Sequence, residues 1–434
     1  MNKLEFVNHS CVIISNENIS LAMDPWVEGS VFNNSWNLLV KTPANLLENL
    51  KKSNYIWFSH EHPDHFNPPN LKIFNKDTNF IFQKTKDKRV VRFLSKISSN
   101  IKELDYKEEF FLDKSFTIQT IPFQYLDSMC LIKLNGINIL NLNDCDIKNE
   151  KQLRIIKKLC GPLDLLMVQF SYAIGKSNKE NINERKIWSS TILNKLSHTI
   201  NFLKPKNVIP FASYCFFSRH DNFYLNDCIN KIGPTIEFLK TKNPSVNFLC
   251  LYPGDVWDFK SKWHNDTSID KYSYHYDQIS PIQINNKKID FLANQEVSNN
   301  FVNITKKNNN LFNLYNFFNQ KNYEIYFYIT DLDIKCKFNF KNGLKKINNF
   351  DLLKPNCSLS SESLYQLFKS GYGYDALIIG GRFEANKLGL KNLNKIFKFQ
   401  AKNYQNIFYN YQNIISNLLR KFFNRNALFY NRGN

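Results

Sequence analysis

The stretch His60-Glu61-His62-Pro63-Asp64-His65 follows at once on the apolar run Tyr55-Ile56-Trp57-Phe58. It gathers three of the chain's 8 histidines and an aspartate. Neutral imidazole and carboxylate are the ligands of zinc, iron or manganese. One helix face could not present all four groups, so the segment reads as a loop based on the preceding strand. Alternation turns His60 and His62 to one side. Asp64 and His65 then reach a second position close by. That arrangement suits two metal ions, and a bound ion lowers the pKa of its water toward ~7. His60, His62, Asp64 and His65 are therefore the candidate metal ligands.

Working outward, the chain before the loop reads as short strands, Leu4 to Val7, Cys11 to Ile14 and Ile19 to Met23, broken by Asn-rich turns. The third ends in Asp24-Pro25-Trp26, and Pro43 to Lys52 reads as a short helix. After the loop come a strand at Asn79 to Phe82, a helix at Asp87 to Leu94 and a strand-rich stretch from Phe116 to Leu142 that ends in Asn143-Asp144-Cys145. Further expectations are a buried strand at Leu165 to Phe170, a long helix at Glu184 to Leu203, and strands at Asn207 to Phe211 and Val246 to Tyr252. The chain thus divides into a metal-binding domain over residues 1–259, a polar linker or irregular region over 260–310, and a small α+β domain over 311–434. Leu and Phe interleaved with Lys and Arg over 390–434 suggest an amphipathic helix, packed on its own domain.

The 434 residues, 43% hydrophobic and 15% aromatic, can bury large cores, which excludes wholesale disorder. The net charge of +19 is a Lys excess in a chain rich in Asn, Ile, Phe and Tyr. It reads as a composition bias; with no Arg-rich stripe and no nucleic-acid motif, no nucleic-acid partner is expected. Nine cysteines without a Cys-x-x-Cys pair suggest reduced thiols, and no apolar run has the length of a signal peptide or a transmembrane segment. A cytoplasmic protein is expected.

The histidine loop resembles the H-x-H-x-D-H signature of the metallo-β-lactamase superfamily. Asn8-His9-Ser10 followed by Asp24-Pro25-Trp26 is similar to the opening of the branch holding ascorbate-phosphate lactonases and N-acyl phosphatidylethanolamine phospholipases. Asp24-Pro25-Trp26 with Gly29 and Phe32, Asn143-Asp144-Cys145, Pro210-Phe211-Ala212, Pro253-Gly254-Asp255 and the later stretch Gly371 to Phe383 resemble the branch of CMP-N-acetylneuraminate hydroxylases. The resemblance covers roughly residues 1 to 255. It implies an α/β fold, an αββα metallo-β-lactamase sandwich with the smaller C-terminal α+β domain beside it, and metals at one edge. It also implies that Asp144 bridges two metals, which adds it to the ligand set and makes Asp64 and Asp144 the catalytic carboxylates.

The superfamily supplies two further histidines. The matching segments here, Ile121-Pro122-Phe123-Gln124-Tyr125 and Val208 to Ser213, have none. His220 is the first candidate substitute and Gln124 a weaker one. Asp24 and His9 read as residues that hold ligand rings in place behind the metals, with His9 a core histidine otherwise. Three functions follow. The first is a hydrolase that uses water activated by zinc or iron, one or two divalent ions, on a small anionic substrate: phosphorylated, nucleotide-linked or sugar-derived. The second is an iron-dependent hydroxylase component acting on a sugar nucleotide. The related hydroxylases carry a Rieske centre built on Cys-x-His pairs. No cysteine here is followed two residues later by histidine, so this reading calls for a separate electron donor or a di-iron site. The third is a degenerate, non-catalytic binding module.

Overall fold

The computed structural model describes residues 1–85, 87–106, 108–123, 127–175, 177–283, 288–308, 324–348 and 353–404. Two seven-stranded sheets form the N-terminal part. The first runs, edge to edge, Val256–Trp257, Lys3–Asn8, Cys11–Ser15, Ser20–Met23, Tyr55–Trp57, Asn79–Gln83 and Ile101–Leu104. The second runs Asn247–Phe248, Asn207–Phe211, Leu165–Gln169, Ile137–Asn143, Asp127–Leu134, Phe116–Phe123 and Glu109–Phe111.

Period-two alternation makes these sheets two-faced. Val12, Ile14, Leu21, Met23, Trp57 and Ile81 join one core with Ile118, Ile132 and Leu140 of the second sheet. Their chain neighbours Cys11, Ile13, Ala22, Ile56, Phe80 and Phe82 join another, with Leu46, Leu50, Val90 and Leu94 from the helices Ala44–Lys51 and Arg89–Leu94. The outer face of the second sheet is covered by Leu153, Ile156, Ile200, Leu203, Ile236 and Leu239, from the helices Glu150–Cys160, Ile182–Leu203 and Ile232–Lys242. The architecture is helix, sheet, sheet, helix, as the resemblance implied.

Five strand ends share one edge. Lys3–Asn8, Ser20–Met23 and Tyr55–Trp57 run the same way, because each of the first two is antiparallel to Cys11–Ser15 and the third is parallel to Ser20–Met23. In the facing sheet, Ile137–Asn143 and Asn207–Phe211 are parallel to Leu165–Gln169 between them. Ala212 N–H donates to the His9 carbonyl at 2.9 Å, which ties the two sheets together at that edge.

The C-terminal part holds a five-stranded sheet in the order Gly343–Lys346, Ile334–Asn339, Ile325–Ile329, Asn356–Leu359, Glu384–Ala385. Its own core contains Ile325, Phe327, Phe338, Leu364, Leu367, Leu393, Ile396 and Phe397. The helix Lys387–Tyr404 packs on this core through Leu393 and Phe397; the rest of the expected tail, 405–434, lies outside the described residues. The helix Gly373–Gly380 bridges to the N-terminal part: Leu377 enters the C-terminal core, whereas Ala376 packs with Trp26, Phe32 and Trp36. Beyond it, the buried Arg382 guanidinium bonds Asp221, Glu362 and the Asn33 carbonyl.

Two expectations need correction. The described residues of 260–310 are largely helical, in Asp266–Gln278 and Phe291–Asn308. Tyr272 and Tyr276, one helical turn apart, are buried in the first core, and Phe291, Phe301 and Val302 in the second, so apolar spacing outweighs the polar composition. The passage between the cores falls between Gln278 and Phe291. The strand expected over Val246 to Tyr252 pairs only at Asn247–Phe248. Past it, the Asn265 side chain takes the Cys250 N–H at 2.7 Å, replacing a ladder partner.

Candidate metal centre

The loop expected to carry ligands leaves the strand Tyr55–Trp57 at the shared edge, beside the ends of Ser20–Met23 and Ile137–Asn143. Its donors face one another. His60 Nε2 lies 2.8 Å from His62 Nδ1 and 3.9 Å from Asp144 Oδ2. His65 Nε2 lies 3.3 Å from the same Asp144 oxygen and 3.5 Å from Asp64 Oδ2. The loop's remaining acid, Glu61, is turned away to the Arg89 guanidinium at 2.9 Å.

Three overlapping groups have their donor atoms within 4.8 Å of one another: His60, His62 and Asp127; His60, His65 and Asp144; and His9, Asp64 and His65. The sequence-derived ligands His60, His62, Asp64, His65 and Asp144 therefore come together. His9 joins them, 3.7 Å from Asp64 Oδ2 and edge-on to Trp26. His220 does not: it is exposed, in a turn that lines a separate cavity with Asp221 and Arg382. Gln124 lies outside the described residues.

The donor chemistry fits a metal. His9 Nδ1 and Nε2, Asp64 Oδ1, His65 Nε2 and Asp144 Oδ1 are buried without a hydrogen-bond partner among the described residues. Buried polar atoms are ordinarily satisfied, and each orphan costs ~1–3 kcal/mol. Five such atoms at one point, on residue types that ligate metals, form a cradle for cations.

Asp24 stands behind the donors. Its Oδ2 accepts from His65 Nδ1 at 3.1 Å and from the Asn143 amide, and its Oδ1 accepts from Ser59 N–H at 2.8 Å. Fixing Nδ1 leaves Nε2 turned toward Asp64 and Asp144. The backbone is bent to suit. His9, Asp24, Asn143 and Ala212 all have left-handed φ, at 43°, 43°, 50° and 51°. Such residues cost ~1–3 kcal/mol each and cluster where function over-determines them.

Charge is balanced within the cluster. Burial opposes a charge on His65, but Asp144, Asp64 and Asp24 outweigh it and hold the imidazole well above the ordinary histidine range. Burial likewise opposes ionisation of Asp64, yet His65 and His9 hold it well below the carboxylate range. Burial pushes His9 down, despite Asp64 beside it.

Two acids were missed in the sequence. Asp127 opens the strand Asp127–Leu134, opposite Phe123 in the hairpin, close to where a histidine was sought. Its signal was a carboxylate at the mouth of that hairpin. Asp375, in the helix Gly373–Gly380, is held above the carboxylate range by burial, with His62 and Glu61 in electrostatic reach. Beside the donors opens a cavity of about 510 Å³, bordered by His62, Asp64, Asp127 and Asp144 and closed on the C-terminal side by Ile379.

Comparison with known proteins agrees with this construction. The family model of the beta-lactamase superfamily domain matches residues 3–212. Cytidine monophosphate-N-acetylneuraminic acid hydroxylase of Cricetulus griseus is 25% identical over 244 residues, 52% of this chain and 42% of that protein. The Mus musculus protein of the same name is 26% identical over 239 residues, covering 52% and 41%. The chain thus spans less than half the length of these relatives. Among solved structures, CmlA, a diiron beta-hydroxylase from Streptomyces venezuelae, matches with a TM-score of 0.40 and 14% identity over 59% of this chain and 54% of that one. Residues 3–212, just under half of the chain, are thus similar to the domain of the metallo-β-lactamase superfamily.

Proposed function

We propose that this chain is a metal-dependent hydrolase acting at the edge where His60, His62 and Asp144 meet. The observation that carries the proposal is the convergence of buried, unpartnered nitrogen and oxygen donors around Asp64, His65 and Asp144. One divalent ion, zinc or iron, would be held by His60, His62 and Asp127, and a second by His9, Asp64 and His65. Asp144, within reach of both His60 and His65, would add its carboxylate to the donors of either ion. Bound there, the ions would supply water ionised near neutral pH and polarise the bond to be cleaved.

The chain's own residues do the rest. Asp64 and Asp144 orient the water as acceptors. Asp24 keeps the His65 ring turned inward. Phe32 and Trp36 line the cavity with apolar surface. Hydrolysis needs no electron donor, so these groups suffice for it. On this reading residues 1–259 form the catalytic domain, and the C-terminal part lends the cavity Ile379.

The second reading, an iron-dependent hydroxylase component, is favoured by one observation: the relatives named as hydroxylases match over about half of this chain. Metal analysis of protein purified without added metal separates the two. Zinc with hydrolytic turnover supports the first, and iron with O₂-dependent turnover supports the second. Metal-free protein whose metal uptake is unchanged by His62→Ala sinks both.

A further inference from the structure

The expected anionic substrate finds little support in the walls of the cavity. Away from the donors they mix aromatic and aliphatic groups, Trp36, Tyr172, Trp188 and Ile379, with uncharged polar ones, Gln169 and Thr191. Among the described residues, Lys195 is the one lysine on that wall and no arginine is there. Lys195 is already held by Asp146 at 3.1 Å. A phosphate remote from the metals would therefore meet aromatic rings and a neutralised lysine. Phosphate recognition ordinarily uses uncommitted Arg, Lys or clustered backbone N–H groups. The volume, about 510 Å³, lies within the range of sites that bury a drug-sized, mainly apolar molecule.

The wall also offers uncharged polar groups, the Trp36 indole among them. The Trp36 indole N–H is buried and has no hydrogen-bond partner among the described residues. It carries no charge, so it suits a neutral acceptor such as a carbonyl oxygen.

We propose that the cavity takes an uncharged, mainly apolar ester or amide, its acyl or aryl body between Trp188, Tyr172 and Ile192 and its carbonyl end toward Trp36 and the donor cluster. Only the reacting bond rests on the hydrolase reading; the choice of ligand rests on the walls. In hydrolysis of an ester, the water oxygen bonds to the acyl carbon, the C–O bond breaks, and the proton from water passes to the departing oxygen. No co-reactant besides water is needed.

Binding and turnover are measured separately on the full chain, as purified and zinc-loaded. Calorimetric titration compares N-phenylhexanamide with cytidine 5′-monophosphate, and 4-nitrophenyl hexanoate reports hydrolysis. The amide is expected to bind more tightly than the nucleotide by about tenfold or more. Trp36→Phe keeps the apolar wall and weakens the amide about three- to tenfold, the worth of one neutral hydrogen bond. Ile379→Arg supplies the missing cation, so it strengthens nucleotide binding while weakening the amide; that gain cannot come from misfolding. Tighter binding of the nucleotide by the unaltered protein overturns the proposal, and so does an amide affinity untouched by both variants. Amide binding that responds to both variants, without ester turnover in any metal form, leaves the ligand class standing and removes the hydrolase reading.

Discussion

His65 and Asp24 meet through Nδ1 and Oδ2 at 3.1 Å, both fully buried, 41 residues apart in the chain. The pair joins the histidine loop to the end of the neighbouring parallel strand, where Met23 sits opposite Trp57. It ties a ligand's orientation to the register of the sheet. Asp24→Asn keeps the shape and the bonds from Ser59 and Asn143 within reach, but removes the charge that holds the ring. Metal affinity is expected to fall about 10- to 100-fold. Competition against a chelator of known affinity measures it, and an unchanged affinity would show that packing alone orients the ring.

The same carboxylates set a pH dependence. His65 is held above the ordinary range in the metal-free protein. A raised folded-state pKa contributes stability that is fully present below the unfolded value, and is lost as pH rises through the folded value. Metal binding runs the other way, because Nε2 must be deprotonated to ligate. Metal affinity is therefore expected to keep rising with pH above the ordinary histidine range, as metal-free stability falls. Zinc titrations across pH 6 to 9 in a non-coordinating buffer, on the order of one proton released per ion near neutrality, check the sign. A flat affinity over that window counts against a charged His65.

How much of this was readable in advance depended on whether a group's partners were near in sequence. The loop His60 to His65 was legible because four donors are contiguous and a strand precedes them. Asp144 and Asp24 were legible because each ends a strand in a short motif. Asp127 was not, because its place is fixed by hairpin pairing with Phe123 rather than by a pattern around it. His9 was legible as a residue near the metals; its contact with Asp64 needed the sheet edge to be assembled. His220 looked available in sequence. Its neighbours Arg219 and Asp221 are committed to the Asn222 and Arg382 side chains, which fixes the turn facing solvent. The aromatic walls and Ile379 come from segments far apart in the chain, and no local spacing reports such a meeting.

Asp127 makes the most direct test of the two-ion reading. Without it, His60 and His62 lose the third member of their group, while His9, Asp64, His65 and Asp144 remain. Asp127→Ala leaves the first ion only His60, His62 and an Asp144 shared with the second, so the metal content is expected to fall from about two ions per chain toward one. Elemental analysis after gel filtration counts the ions. Retention of the full content would mean that Asp127 is a bystander at the mouth of the hairpin.

The docking of the C-terminal helix on the cavity depends on two glycines. A Cβ at Gly175 would lie 2.1 Å from the Gly381 Cα and 2.5 Å from its nitrogen, so the backbones touch. Gly175 N–H also donates to the Ile378 carbonyl at 2.8 Å, next to the cavity residue Ile379. Gly381, at φ 69°, ends the helix in the left-handed region, where a side chain adds strain to the same crowding. Gly175→Ala is expected to cost about 1–3 kcal/mol, and Gly381→Ala more. Denaturant unfolding gives the magnitude, and hydrogen exchange gives the place. Protection should fall over residues 373–381 while residues 55–65 keep theirs, because the histidine loop is anchored by Asp24 at the end of its neighbouring strand. Equal loss in both segments would mean that the two parts of the chain stabilise the metal centre jointly.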